Sequence, residues 1–251
     1  MSRLFASELG SGPRTIVLVH GFGGTHGVWR DVQESLAAGF RTIAYDIPGH
    51  GNALDWPDAG PPRIAVKAIL ADLAERGSNP VNLVGHSMGG AIATLVALSE
   101  PAKVASLTLL SPGGFGVEIN QPLLRRFAAA REHAELRGCL AAMMAPDAAV
   151  DAAGLEELVA MRARPGQVEK LGQIVEVIAR DGRQGVIPAD RLGQLAMPVA
   201  VVWGTLDPVL PFQQAENLPS SFALHRLDGK GHMLVEEAAG FVTGLIRQAA
   251  R

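Results

Sequence analysis

The chain has 251 residues, a formal net charge of −3 and a single cysteine, Cys139. That length accommodates one α/β domain with an insertion, while a single cysteine excludes an internal disulfide and a zinc site built from several cysteines. Lysine and arginine are scattered, so no basic surface points to nucleic acid. The start has no signal-peptide pattern, and no apolar run reaches the roughly 18 residues that span a bilayer. We therefore expect a cytoplasmic protein that binds neither nucleic acid nor membranes.

Short apolar runs rich in β-branched residues alternate with amphipathic runs along most of the chain. This alternation predicts a parallel sheet whose strands are joined by right-handed helical crossovers. The predicted strands cover residues 15–20, 40–46, 81–86, 104–111, 198–203 and 222–227. The predicted helices between and after them cover residues 28–38, 61–76, 89–100 and 236–251. Trp29, Val32 and Leu36 form one apolar stripe in the first helix, and Gly77 is placed to end the second.

Residues 114–190 break this rhythm, because they contain helical patterns and no convincing strand. The predicted helices there cover residues 121–144, 152–164 and 166–180. A loop-rich segment, 181–198, leads back to the sheet. The sequence therefore predicts a core made of residues 1–113 and 191–251, with 114–190 as a helical cap inserted between two strands.

Ser87 stands between two glycines in the stretch LVGHSMGGAI, where a predicted strand ends and a predicted helix begins. In that context the spacing G-x-S-x-G is typical of a nucleophile elbow, a tight turn that exposes a serine hydroxyl above the sheet edge. The amide of Met88 then lies at a helix N-terminus and can donate to an oxyanion. The sequence therefore predicts Ser87 as a nucleophile and the Met88 amide as half of an oxyanion hole.

A second glycine-rich stretch, VHGFGG at 19–24, follows the first predicted core strand. Its glycines permit a turn whose amides point inward, and the Phe22 amide is the natural second oxyanion donor. The stretch lacks the lysine and the Ser/Thr of a phosphate-binding loop and has no G-x-G-x-x-G spacing. Nucleotide binding is therefore not expected.

A serine nucleophile needs a base, and His232 is the strongest candidate. It follows the last predicted strand, as the chain order serine, acid, histidine requires. His86 adjoins Ser87, and its side chain is expected to point away from the site. Of the other histidines, His133 is assigned to a solvated helix face and His225 to a strand. His26 and His50 are assigned to loops and could border a pocket.

The base in turn needs a carboxylate that holds its tautomer. Asp207 lies in the turn of WGTLDPVLP, just past a predicted strand end and at the same sheet edge as Ser87. An alternative role for Asp207 is to cap a short helix at 211–217. Glu118 and Asp228 are the weaker candidates for the acid.

The stretches HGFGG, YDIPGHG, GHSMGG, WGTLDPVLP and GKGH, in this order, resemble the landmarks of the α/β-hydrolase family. The resemblance covers nearly the whole chain. It implies a mostly parallel eight-stranded sheet with helices on both faces and a helical cap over the active site. It also implies that Ser87, Asp207 and His232 are nucleophile, acid and base, and that the amides of Phe22 and Met88 form the oxyanion hole.

Within the family, LLSPGGFGVEIN and RRFAAAREHAEL are similar to the hydrolase-like domain in the acetyltransferase component of acetoin dehydrogenase complexes. That component normally begins with a lipoyl domain, whereas this chain starts directly at the hydrolase-like part. Serine at the elbow separates the chain from haloalkane dehalogenases and epoxide hydrolases, which use aspartate there, and from dienelactone hydrolases, which use cysteine. Haloperoxidase-like and hydroxynitrile-lyase relatives keep the serine, so those activities stay open.

The expected function is hydrolysis of a carboxylic ester, thioester or lactone through a Ser-His-Asp acyl-enzyme. Two alternatives stay open: a C–C bond hydrolase or acyltransferase on the same triad, and a non-catalytic small-ligand binding protein. The expected partner is an uncharged small acyl substrate, although Arg125, Arg126 and Arg162 of the cap are available to a carboxylate. No metal or cofactor is expected, and the protein is expected to be a monomer or homodimer. The candidate pocket walls are Trp29, Phe115, Phe127, Met143, Met144, Val209 and Met233.

Overall fold

A computed structural model describes residues 3–77 and 80–251 of the chain. Its centre is a sheet in the order β1-β3-β2-β4-β5-β6-β7, in which β1 is antiparallel to β3 and the other neighbours are parallel. The strands are β1 (Ala6–Leu9), β2 (Thr15–Val19), β3 (Arg41–Tyr45), β4 (Val81–His86), β5 (Val104–Leu110), β6 (Val199–Gly204) and β7 (Phe222–Leu227). The fold is that of an α/β protein with a mostly parallel sheet, as predicted.

Ten α-helices accompany the sheet within the described residues. They are α1 (Arg30–Leu36), α2 (Pro62–Arg76), α3 (Met88–Ser99), α4 (Gln121–Ala129), α5 (His133–Met143), α6 (Ala152–Arg162), α7 (Gln167–Ile178), α8 (Ala189–Leu192), α9 (Leu234–Glu237) and α10 (Ala239–Ala249). Short 3-10 helices cover His26–Trp29, Gly51–Ala53, Pro101–Lys103 and Phe212–Ala215. None of the helices in this part of the chain is both long and apolar enough to cross a bilayer.

The expectation of eight strands is wrong, since the described residues form seven in the sheet. The segment ahead of β2 supplies one strand, β1, which the sequence pattern did not predict. Gly10 takes a φ of 77° and turns the chain directly into β2. A side chain at Gly10 or Gly12 would overlap the backbone of residues 37–40, so this turn packs closely against the end of α1.

Several predicted helices form with small changes at their ends. Helix α2 ends at Gly77, whose φ of 64° is the left-handed conformation typical of a helix C-cap. The single helix predicted over 121–144 is wrong: Ala130 is extended, and Glu132 starts α5 with a capping box to Glu135. The closing helix is likewise interrupted, because Ala238, with a φ of −139° and a ψ of 33°, leaves helical geometry between α9 and α10.

The sheet is covered on both faces. Alternate residues of β2 point to opposite sides, so Ile16 and Leu18 pack with α1 and α10 while Val17 and Val19 pack with α2 and α3. Five helices, α4 to α8, lie between β5 and β6 in the chain, and α4 to α7 pack on one another. Side chains from α4, α5 and α6 border a cavity at the carboxyl end of the sheet.

Candidate active site

Ser87 occupies the turn between β4 and α3 in a conformation that non-glycine residues rarely adopt. Its φ is 54° and its ψ is −120°. Its amide donates to the carbonyl of Leu110 at 2.9 Å, and its carbonyl accepts from the amides of Gly90 and Gly113, each at 2.9 Å. Strain of this kind costs on the order of 1–3 kcal/mol and persists only where surrounding contacts hold it. Here the hydrogen bonds on both sides of Ser87 supply those contacts.

The two glycines that flank Ser87 are required by close backbone approach. A Cβ at Gly85 would overlap the carbonyl of Gly89, and a Cβ at Gly89 would overlap the carbonyl oxygens of Val19 and His20. Helix α3 can therefore start against the end of β2 only if both positions lack a side chain. This packing explains the G-x-S-x-G spacing and brings Ser87 beside the loop that follows β2.

His232 and Asp207 form a buried contact at the same sheet edge. Nδ1 of His232 lies 2.8 Å from Oδ2 of Asp207, and Oδ1 of Asp207 accepts from the amides of Val209 and Leu210 at 2.9 Å each. Burial raises the pKa of the Asp207 carboxyl, but the facing His232 ring and the hydrogen bonds outweigh burial and hold that pKa below its usual range. An ionised Asp207 accepts the proton on Nδ1, which leaves Nε2 of His232 as the acceptor.

The other candidate acids lie elsewhere. Glu118 is exposed, and its backbone carbonyl accepts from Gln214 at 2.7 Å. Asp228 is exposed and pairs with Arg226 at 2.7 Å. The short helix after Asp207 spans Phe212–Ala215 and is preceded by Pro211 without a side-chain cap, so Asp207 does not cap it.

The prediction that His86 points away from the site is wrong. Its ring lies 4.9 Å from the ring of His232, centre to centre, and its Nε2 is 2.9 Å from the His232 carbonyl. Since a carbonyl only accepts, Nε2 of His86 carries the proton. Burial lowers the pKa of His86 to about 3, and the neighbouring His232 adds to this, so the ring is neutral. His86 thus fixes the backbone of His232.

The HGFGG loop after β2 is held from two sides. The Gly23 amide donates to Nε2 of His50 at 3.1 Å, and the Gly23 carbonyl accepts from Arg162 of α6 at 3.2 Å. Gly23 takes a φ of 73°, and a Cβ there would lie 3.1 Å from the Arg162 guanidinium. Burial lowers the pKa of Arg162 to about 10, so the side chain stays charged at neutral pH. These contacts set the shape of the loop that carries the Phe22 amide.

Of the two amides predicted for the oxyanion hole, that of Met88 follows Ser87 directly in the chain, and that of Phe22 belongs to a residue on the wall of the same cavity as Ser87. Phe22 borders the cavity, and Met88 is the first residue of α3, where helix amides lack intrahelical acceptors. In residues 3–77 and 80–251 neither amide donates to a protein acceptor. Both are therefore available to a bound ligand.

A cavity of about 510 Å³ opens beside Ser87 and His232. Four of the predicted wall residues border it: Phe127, Met143, Met144 and Met233. Three do not. Trp29 is fully buried beneath the sheet, Phe115 packs edge-on against Trp203, and Val209 is buried with its amide on Asp207.

Charged side chains of α1 and α6 border the cavity. Arg30 pairs with Glu157 there, and Asp31, Asp151 and Glu236 border the same cavity.

The cap arginines considered for a substrate carboxylate are engaged elsewhere. Arg125 pairs with Glu176 and Arg126 donates to Cys139 and Gly138, whereas Arg162 holds the HGFGG loop.

The remaining histidines are structural in this arrangement. His133 is exposed and lies 3.5 Å from Glu156, as predicted for a solvated helix face, and His225 lies in β7. His26 contacts Asp46 at 2.8 Å, and His50 is buried behind the HGFGG loop. Neither His26 nor His50 borders the cavity beside Ser87, although His50 borders a separate, small pocket with Ile47 and Pro48.

Sequence reasoning missed several residues that shape the site. His20 accepts from the Ile47 amide at 3.1 Å and thereby joins the loops that follow β2 and β3. His20 is the last residue of one predicted strand and His50 lies a few residues past the next, each beside glycine, and these positions could have indicated their role. Arg162 gives no such signal, because its burial depends on how α6 packs against the core. In the described residues, no group of three or more His, Cys, Asp or Glu side chains is arranged to hold a metal.

The sequence profile of the Alpha/beta hydrolase family matches residues 16–243. The chain belongs to this family. Among curated proteins, one relative is the dihydrolipoyllysine-residue acetyltransferase component of the acetoin cleaving system of Cupriavidus necator. The chain is 31% identical to it over 254 residues, which cover 98% of the chain and 66% of that protein. It is 36% identical over 230 residues to the component of the same name from Pseudomonas putida, covering 92% of the chain and 61% of that protein. The predicted similarity to this component is confirmed, and the chain spans less than two thirds of either relative.

Other relatives carry hydrolase names. A pimeloyl-[acyl-carrier protein] methyl ester esterase from Vibrio campbellii is 30% identical over 238 residues, covering 88% of each chain. Among solved structures, a meta-cleavage product hydrolase from Pseudomonas fluorescens superposes with a TM-score of 0.84 at 19% identity, covering 97% of this chain and 92% of that one. At that identity the structural likeness establishes the fold alone.

Proposed function

We propose that this chain is a serine hydrolase that cleaves a carboxylic ester, thioester or lactone by way of an acyl-enzyme on Ser87. The observation that carries the proposal is the 2.8 Å contact between His232 Nδ1 and Asp207 Oδ2, with Ser87 strained in its turn on the wall of the same cavity. A hydroxyl, an imidazole and an ionised carboxylate in this order are what activated-serine chemistry needs. Relatives named as esterases support the same reaction class.

In the proposed reaction, Ser87 Oγ forms a bond to the acyl carbon while His232 Nε2 takes the hydroxyl proton. The carbonyl oxygen becomes an oxyanion that the Phe22 and Met88 amides stabilise. The intermediate then collapses, its bond to the leaving group breaks, and His232 gives that group its proton. Water, deprotonated by His232, attacks the acyl-enzyme in the same way and releases the acid and the free serine.

The charges around the cavity favour an uncharged acyl group. Apolar side chains such as Leu124, Phe127 and Leu155 border the cavity, and so do the carboxyl groups of Asp31 and Asp151. Arg30, which also borders the cavity, is paired with Glu157. A substrate carboxylate placed among these acidic groups would be repelled, so a neutral ester is expected to react faster than the same ester with a terminal carboxylate.

Acyl transfer to a second substrate is the other candidate. The names of the Cupriavidus necator and Pseudomonas putida relatives favour it, since both are acetyltransferase components. The same acyl-enzyme would be intercepted by a thiol or alcohol instead of water. Adding such an acceptor to an ester assay separates the two, because each acyl group that is transferred is not released as acid, so the acid formed per ester consumed falls.

The first experiment is intact-mass spectrometry after treatment with a fluorophosphonate. An activated Ser87 attacks phosphorus, fluoride leaves and one adduct forms. We expect one adduct on the wild type, none on Ser87→Ala and much slower labelling of His232→Ala. A folded wild type that forms no adduct would contradict the proposal and favour a non-catalytic binding protein on the same fold.

A further inference from the structure

The cap and the loop that carries His232 approach each other through their backbones. The His232 amide donates to the carbonyl of Met143, the last residue of α5, at 2.8 Å. A Cβ at Gly231 would lie 2.6 Å from the carbonyl carbon of Met144 and 2.7 Å from the amide nitrogen of Ala145. The contact between these two segments therefore depends on glycine at position 231.

One carboxylate, that of Glu237 in α9, bonds to both segments. Its Oε2 accepts from the amides of Ala145 at 3.0 Å and Gly231 at 2.9 Å, and its Oε1 accepts from the amide of Met233 at 3.1 Å. Hydrogen bonds to an ionised acceptor are about twice as strong as neutral ones. Capping of α9 explains the Met233 contact, because Met233 precedes that helix. Capping does not explain the contacts with Gly231 and the cap.

The three contacts of Glu237 enclose His232. They fix the amides on either side of it, while the His232 carbonyl accepts from His86 and Nδ1 faces Asp207. Small displacements of a reacting group are costly, on the order of 10²-fold for about 1 Å. We propose that Glu237 is a positioning residue, which ties the cap segment Met143–Ala145 to the His232 loop and so holds the imidazole between Asp207 and Ser87. This inference rests on the proposed function.

The decisive variant is Glu237→Gln, which keeps the side chain's size but has one acceptor oxygen. In either orientation its amide nitrogen faces at least one of the three backbone N–H groups. The matched control is Asp72→Asn, a buried carboxylate on α2 that bonds to Tyr45 and Arg76 and takes no part in the His232 loop. It lowers stability without touching the proposed site.

Two readouts are measured on both variants: the rate constant and stoichiometry of fluorophosphonate labelling, and the downfield proton resonance of His232 Nδ1–H. For Glu237→Gln we expect labelling slowed by on the order of 10- to 10²-fold, still reaching one adduct per chain, with a shifted or broadened resonance. Asp72→Asn should lower the melting temperature and change neither readout. A purely structural role would instead reduce the labelled fraction at an unchanged rate.

Unchanged rate and resonance in Glu237→Gln would overturn the proposal, and so would an equal slowing in Asp72→Asn. If the wild type is not labelled at all, the proposed serine mechanism fails, but the resonance still tests the role of Glu237. A changed resonance in Glu237→Gln would then support the positioning of His232. Should Glu237→Gln not fold, Gly231→Ala separates the same segments and must slow labelling or shift the resonance. If it does neither, the inference is wrong.

Discussion

Replacing Asp207 with asparagine tests the proposed triad through the proton on His232. Oδ1 of Asp207 accepts from the amides of Val209 and Leu210, each at 2.9 Å. An asparagine must keep its carbonyl oxygen there, because its amide nitrogen would meet two N–H donors. That nitrogen then faces Nδ1 of His232 and forces Nδ1 to accept. The ring proton moves to Nε2, the atom that the mechanism uses as base.

The expected loss of kcat is about 10⁴-fold, the size found when a triad aspartate becomes asparagine in a serine protease. It corresponds to about 5.4 kcal/mol of transition-state stabilisation. Folding should suffer much less than activity, because both amide contacts to position 207 remain.

The assay compares kcat for p-nitrophenyl acetate and the fluorophosphonate labelling rate in wild type, Asp207→Asn and Asp228→Asn. Asp228 is exposed and paired with Arg226, so its variant should match the wild type. A loss of less than about 10-fold in Asp207→Asn, with the fold intact, would refute the tautomer argument, as a neutral partner would then suffice. An equal loss of kcat in Asp228→Asn would mean that Asp207 is not specifically the acid of the triad.

Three further changes test the elbow and two buried carboxyls. Gly89→Ala should abolish fluorophosphonate labelling and cost about 1–3 kcal/mol of stability, because its Cβ overlaps the end of β2. The control Gly172→Ala, in open space on α7, should change neither labelling nor stability. Normal labelling of Gly89→Ala would contradict the packing argument. Burial raises the pKa of Glu236 to about 8, so between pH 4.5 and 8 the folded chain keeps a proton that the unfolded chain releases. Stability should therefore fall as pH rises through that window, and Glu236→Gln should raise the melting temperature more at pH 8 than at pH 5; an equal gain at both would be inconsistent with this. Although burial opposes ionisation of Asp46, hydrogen bonds from His26 and other contacts hold its pKa at about 2, below the usual value of 3.8. The free energy of unfolding should thus drop by about 2 kcal/mol as pH falls from about 4 to 2, and Asp46→Asn should flatten that drop in denaturant titrations; an unchanged slope would implicate other groups.

Strand and helix periodicity predicted the six parallel strands and the main helices of the sheet because those segments are buried on defined faces. It missed β1, a short edge strand whose burial is partial and whose pairing depends on the turn at Gly10. It also merged α4 with α5, because the apolar pattern continues through the break between them. The capping contacts of Glu132 and Glu135 start α5 as a separate helix. Local hydrogen bonding decided these ends, and a hydrophobic pattern does not encode it.

Chain order and motif context brought Ser87, Asp207 and His232 to one sheet edge, and the structure places His232 and Asp207 in contact. Their catalytic roles stay predictions. The pocket was predicted less well, because Trp29 and Val209 are apolar and close in sequence to site residues yet face the core. Which side of a loop faces a cavity depends on packing between distant segments.

The proposed nucleophile and acid are held in place by different parts of the structure from the proposed base. Ser87 and Asp207 follow β4 and β6, neighbours of β5 in the parallel sheet, and their backbones are fixed by core contacts. His232 lies in a loop whose amide bonds to the cap at Met143 and whose flanking amides bond to Glu237. A displacement of the segment Met143–Ala145 would therefore reach the loop of the proposed base first. It follows that substitutions near Met143–Ala145 should change kcat more than KM, whereas substitutions of Arg30 and Glu157, which pair with each other on the cavity wall, should change mainly KM.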